Sequence, residues 1–367
     1  MRVAYNKYLL LDSKTRRIVL LVKTEMDVGV LSKVVKSLFV HFQMPAVMLL
    51  QEPVMAVVGA GVRSGVVLDV GWNEAVINVV YEMRVVGTGR RSRRGVRTYR
   101  DIWRKFLQEE YSSSSGGDDD DDDDDGNEDN EIEDWEVEEI LTRTGWCQPF
   151  SRSTSYHKDE TTITIPLTTP TPPSTLTLPF NKLATPAEKT FFATTTTDSP
   201  TPEYPDDDDY ALPELVYRAL RDCPIDVRAA VMQRIIITGG GSYVPGLKKR
   251  VIDEVCVLVK CRGWERVGKR VVKKGQGKMP AQEVGEEGGY QWHEEDTASL
   301  EEQKDKSNKQ EAEDTSGRGR IAGVESFGSW VGASLVAGMK VRGTIEVERE
   351  KFLAAVAAGG TGFPLDV

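Results

Sequence analysis

The sequence MQRIIITGGGSYVPGLKKRVIDE, from Met232 to Glu254, reads as a strand, a glycine turn and a helix. Ile235, Ile236, Ile237 and Thr238 have strong β character, and a helical pattern opens at Pro245, a residue suited to a first helical turn. Gly239, Gly240 and Gly241 carry no Cβ, so the backbone there can take positive φ and another body can approach it closely. In an α/β protein that body is often a nucleotide. The same triplet serves equally as a tight turn with no ligand.

Working outward, Val66–Val86 reads as a hairpin: VVLDV, a turn at 71–74, then AVINVVYEMRVV. Asp69 ends a buried strand and is followed by Gly71, so it can order a cation or water beside phosphates while the glycine lets the backbone approach. An Asp serving the adjacent turn is the competing reading. Upstream, Tyr8–Leu11 and Ile18–Val22 are two apolar runs of strand length separated by DSKTRR. Asp27 is placed to cap an amphipathic helix carrying Val30, Leu31, Val34, Val35, Leu38 and Phe39. Ala46–Leu50 is strand-like, and Pro53 opens a helix that ends at Gly59 or Gly61.

Downstream, Arg90, Arg91, Arg93, Arg94, Arg97, Arg100, Arg104 and Lys105 interleave with Tyr99 and Trp103. The spacing predicts a solvated basic helix serving a partner contact rather than a nucleic-acid site, because the aspartate run Asp118–Asp125 competes for the same charges. A short acidic helix is expected from Trp135 to Gly145 and a strand at Thr161–Leu167. TTPTPPSTLTLP, residues 168–179, reads as extended or irregular. A helix is expected over Thr185–Phe192 with Thr185 as its cap, and two further helices run from Pro213 to Leu220 and from Pro224 to Val231. SWVGASLVAGM, from 329, is a small-residue helix able to pack very close to a neighbour, and Glu348–Ala357 is the last helix.

Composition bounds the function. The net charge of -11 concentrates in acidic runs, and with a pI near 5.1 general nucleic-acid binding is not expected. Four cysteines without a CxxC pair and three scattered histidines predict no structural zinc. No apolar run reaches the roughly 18 residues of a membrane span, so no membrane insertion is expected. Absence of a signal-like start and free thiols point to a reducing compartment.

The order of these blocks resembles the actin family. GVVLDVG (65–71) and VINVVYEMRVV (76–86) resemble its second phosphate loop and return strand, and EVEEILTRTGWC (136–147) resembles the helix that follows in the second lobe. ELVYRALRDCPIDVRAAVMQRIIITGGGSYVPGL (214–247) resembles the helix pair, strand and adenine-side loop. SWVGASLVAG (329–338) and VEREKF (347–352) resemble the packed carboxyl-terminal helices. The resemblance implies an α/β, actin-like ATPase fold of the actin, sugar-kinase and heat-shock-chaperone type. It also implies a degenerate ATP or ADP site at Asp69, Gly71, Gly239, Gly240, Gly241 and Tyr243.

Residues 1–111 then correspond to the remainder of lobe I and the start of lobe II, 131–192 to lobe II segments with a Thr/Pro-rich insert, 211–264 to the adenine-side part and 319–367 to the last helices. Residues 112–130, 193–210 and 265–318 read as disordered inserts. The front, up to LFVHFQMPAVMLL (38–50), resembles the subfamily at the pointed end of dynactin. That implies a cytoplasmic, cytoskeletal subunit capping the actin-related protein 1 filament beside other pointed-end subunits and supporting dynein-based transport. A subunit of a nuclear chromatin-remodelling complex, or a weakly nucleotide-binding actin-like protein, is the alternative.

Three departures bear on chemistry. Nothing before Tyr5 resembles the family's first phosphate loop, so the amino-terminal part is expected to be incomplete, either as a shortened sequence or as a lineage without half of the clamp. Glu52 stands where actins carry a catalytic Gln, and Asn73 stands where the second loop usually has another glycine. Hydrolysis depends on clamping the phosphates from both sides, so these departures predict a chain that is not an enzyme.

Overall fold

The computed structural model describes residues 7–8, 14, 17–24, 26–114, 132–150, 161–169, 174–193, 209–264, 320–339, 341 and 344–363. Contacts divide the chain into two units, 1–263 with 321–367, and 264–320. The elements below belong to the first unit. Most of the three expected inserts lies outside the described residues, as do Leu9–Leu11 of the first expected strand; Tyr8 stands in a short helical turn instead.

Two sheets carry the fold. In the first, β1 (Ile18–Val22) pairs in parallel with β2 (Ala46–Gln51), which pairs antiparallel with β9 (Ile345–Glu348). Helix α1 (Val28–Phe42) links β1 to β2. Its start is fixed by Asp27, whose Oδ1 accepts from the Val30 amide at 3.0 Å, and its end by Gln43 in the left-handed region. Leu31, Val35, Leu38 and Phe39 recur at helical spacing and bury one face against Val47, Leu49 and Val347, together with Phe352 of α9 (Arg349–Ala357).

The second sheet has the order β5 (Arg84–Ser92), β4 (Ala75–Tyr81), β3 (Gly65–Val70), β8 (Ile235–Thr238). The meander is antiparallel and β8 lies parallel to β3, as a return crossover requires. Helix α2 (Glu52–Gly59) runs from the first sheet to the second and packs against α8 (Ser329–Met339). A Cβ at Gly332 would lie 1.9 Å from the Met55 carbonyl oxygen, so only glycine allows this approach. The expected close-packed small-residue helix is therefore present.

Several expectations are corrected. AVINVVYEMRVV is two strands, because Glu82 and Met83 both take positive φ (47° and 62°) and form the tight turn that matches strand twist. Of the two readings of STLTLP the extended one holds: β7 (Ser174–Pro179) pairs antiparallel with β6 (Thr162–Leu167) in a separate hairpin. Thr185 does not cap. It is itself helical (φ −55°, ψ −44°) inside a run that begins as a 3-10 turn at Phe180 and ends as a π turn at Phe192.

The basic cluster is not one solvated helix. Arg90 and Arg91 lie in β5, and α3 (Val96–Ser114) buries Tyr99 and Trp103 completely. Arg94, 5% exposed, donates to Asp209 at 3.2 Å and to the Thr190 carbonyl at 3.3 Å. Arg100 and Arg104 pair with Asp134 at the start of α4 (Asp134–Thr144). Side chains that read as a partner surface are largely consumed in joining α3 to its neighbours.

The remaining helices, α5 (Leu212–Asp222), α6 (Ile225–Val231) and α7 (Leu247–Arg262), follow the expected order and lead into and out of β8. Among the described residues no helix is long and apolar enough to cross a membrane.

Candidate functional site

One face of the second sheet forms the floor of a cavity of about 210 Å³. Side chains alternate along a strand, so a single cross-strand row joins Arg91 of β5, Val76 of β4, Asp69 of β3 and Thr238 of β8. The next row on the same face brings Asn78 beside Val67. The roof comes from the other sheet: Lys23 and Thr24 after β1, Glu52 and Pro53 opening α2, and Ser329 opening α8. The elements flanking α2 thus set two carboxylates, Glu52 and Asp69, into one enclosure.

Burial is the main cause that pushes the Glu52 carboxyl above its ordinary range; the Asp69 charge adds to it and Lys23 partly offsets it. Asp69 is raised for the same first reason, with Lys23 lowering and Glu74 raising it. Asn78 is 7% exposed, and its Oδ1 has no hydrogen-bond partner. Thr24 Oγ1, also at the cavity, has none. Lys23 and Arg91 are exposed, whereas the acidic groups lie deeper, so cations sit at the rim and carboxylates inside.

The six residues read from the sequence are not gathered in one place. Asp69 lies in the cavity, and Gly239 is pressed against it: a Cβ on Gly239 (φ 88°) would stand 2.3 Å from Asp69 Oδ1 and 2.5 Å from the Val70 carbonyl oxygen. Gly241 is used likewise, with its Cβ position 2.4 Å from Val70 Cγ1, and only Gly240 faces open space. Gly71 closes the β3–β4 turn, its amide donating to the Glu74 carbonyl at 3.0 Å. Tyr243, 84% exposed, lines a second groove with Ile235 and Ile237, on the opposite face of β8 from Thr238.

Two of the three glycines are therefore required by the approach of β3 rather than by a ligand. Sequence reading passed over Lys23, Glu74, Asn78 and Thr238. The available signal was a polar Asn on the inward face of VINVVY, two residues from Val76, where burial normally selects an apolar side chain.

A nucleotide is the group that the fold implies, and the inner lining does not fit its ionised triphosphate. Phosphate oxygens inside would face Glu52, Asp69 and Glu74, while Lys23 and Arg91 stand at the mouth. Among the described residues, no group of three or more His, Cys, Asp or Glu side chains is placed to hold a metal ion.

Comparison with known proteins agrees with the architecture. The family model described as Actin matches residues 155–272, the part that holds the β6–β7 hairpin, α5, α6, β8 and α7. The chain thus has an actin-like α/β fold. A 42-residue segment is 36% identical to "Actin-related protein 4" of Candida glabrata, covering 11% of this chain and 8% of that relative's length. Over these stretches the chain is similar to the actin family, and it spans only a small part of the curated relative's length.

Proposed function

We propose that the chain is a non-catalytic, cytoplasmic and cytoskeletal subunit that works by protein contact at the pointed end of dynactin. In this reading it caps the actin-related protein 1 filament beside other pointed-end subunits and supports dynein-based transport. The observation that carries a contact role is the outward face of α8 and the segment before it: Phe327 is 85% exposed, Trp330 74%, Met339 65% and Leu335 48%. Large apolar side chains left exposed along one short helix and the segment before it favour an interaction surface. The pointed-end assignment itself rests on the resemblance of the front of the chain, up to LFVHFQMPAVMLL.

The cavity supports the absence of turnover. Phosphoryl transfer needs the developing charge to be stabilised, and carboxylates at Glu52, Asp69 and Glu74 oppose it. ATP or ADP, the family's typical ligand, would be held weakly at the Lys23–Arg91 rim and near Gly240, outside the main role. A second reading, a subunit of a nuclear chromatin-remodelling complex, is kept because the matched relative is named actin-related protein 4 and not as a pointed-end protein.

Affinity purification of the tagged full chain tests the assignment. Recovery of actin-related protein 1 and pointed-end dynactin subunits is expected. Recovery of a remodelling helicase without them, or steady-state ATP hydrolysis at the rate of actin, overturns it.

A further inference from the structure

The geometry points to the cavity between the two sheets as a site for an organic cation, an alkylammonium or guanidinium group on a short apolar stem. The inference concerns this cavity alone and stands whether or not the chain belongs to dynactin.

The lining is rich in acceptors that lack donors. Asn78 Oδ1 is buried on the floor with no partner, and Thr24 Oγ1 is in the same state on the roof. A buried acceptor left unpaired is costly, so its retention on a strand face otherwise suited to valine calls for a ligand that brings a hydrogen-bond donor. An ammonium supplies three N–H donors and a guanidinium five, and neither needs an acceptor in return.

Charge selects the same class. Glu52, Asp69 and Glu74 face the space from α2, β3 and the β3–β4 turn, and the facing cations Lys23 and Arg91 are exposed at its edge. A cation moving inward meets carboxylates already removed from much of their water, where attraction is stronger than at an open surface. An anion meets the reverse. Pro53, Val67 and Val76 supply apolar wall for methylene groups. The volume, about 210 Å³, is far above the ~10–15 Å³ that a single water needs, so a short chain is accommodated rather than one solvent molecule.

Two sources offer this chemistry: a free amine such as agmatine, and a Lys or Arg side chain reaching in from a bound partner. Binding is expected to tighten as pH rises through the carboxylate range, because Glu52 and Asp69 must ionise to engage the cation. Ligand occupancy in turn releases protons from them.

Isothermal titration of the purified full chain tests the site, with agmatine as the free amine and blocked arginine amide as the side-chain stand-in. Both are expected to bind if the guanidinium alone is recognised, and agmatine alone if the free amine is needed. Glu52→Gln is expected to weaken binding at least tenfold, and so is Asn78→Leu, whose fold is checked by its circular dichroism and melting temperature. Because Asn78→Leu removes an unpaired polar group, it should melt no lower than wild type while losing the ligand. Failure of both probes to bind at millimolar concentration would overturn the inference. So would binding that Glu52→Gln and Asn78→Leu leave unchanged, or inorganic triphosphate binding that Glu52→Gln weakens.

Discussion

Glu52 and Asp69 hold their protons more tightly in the folded chain than in the unfolded one, first because burial disfavours the charged form. The sign of the linkage follows. The folded state binds more protons at neutral pH, so the contribution of these groups is most favourable in acid and falls as pH rises through the carboxylate range. Glu52→Gln removes a charge that the fold pays for, and thermal melts are expected to show a gain of a few degrees at pH 7 that disappears near pH 4. A gain of equal size at both pH values would contradict the assignment. Cys147 lies at the other extreme of usefulness: burial is the main cause that pushes its thiol up to about 12, and it is 1% exposed. Neither residue announced itself by spacing. Glu52 was noticed only because it stands where actins carry a glutamine, and Asn78 was hidden in a run of β-branched residues whose period gives its face but not its missing partner.

At the scale of elements, periodicity carried most of the information. The Asp27 cap, the apolar stripe of α1, the runs of β2 and β3 and the glycine turn after β8 are each set by local chemistry, and the structure shows them where that chemistry puts them. What could not be read were events decided by partners far along the chain. The turn at Glu82 and Met83 carries no Asn-Gly signal, so the β4–β5 boundary is imposed by pairing alone. Strand β9 is short and becomes visible only as the antiparallel edge beside β2. Arg94 and the arginines of α3 read as solvated because Asp209, which accepts from Arg94, and Asp134, which accepts from Arg100 and Arg104, lie well down the sequence. The α2–α8 contact can be tested directly. Gly332→Val would drive side-chain atoms into the Met55 carbonyl, and urea unfolding is expected to show a loss of roughly 1–3 kcal/mol or more. A change below about 0.5 kcal/mol would mean that the two helices are not in this contact.

For the whole molecule, the two sheets enclose an acidic cavity while the surface outside presents apolar side chains, and the two features bear separately on the proposed function. The enclosure is poorly suited to stabilising a transferring phosphoryl group, and the exposed apolar side chains on and before α8 suit a protein partner. Collinear resemblance made the actin-like fold legible in the sequence, whereas exposure of Trp330 depends on what does and does not cover α8 and is visible only in three dimensions. The role by contact therefore rests on that face. Its most direct test is a quantitative purification of tagged wild type beside Trp330→Asp, a substitution at a 74% exposed position that should leave the melting temperature unchanged. The account predicts that pointed-end dynactin subunits accompany the wild type and that their recovery falls at least tenfold with the variant. Equal recovery with both proteins would contradict it.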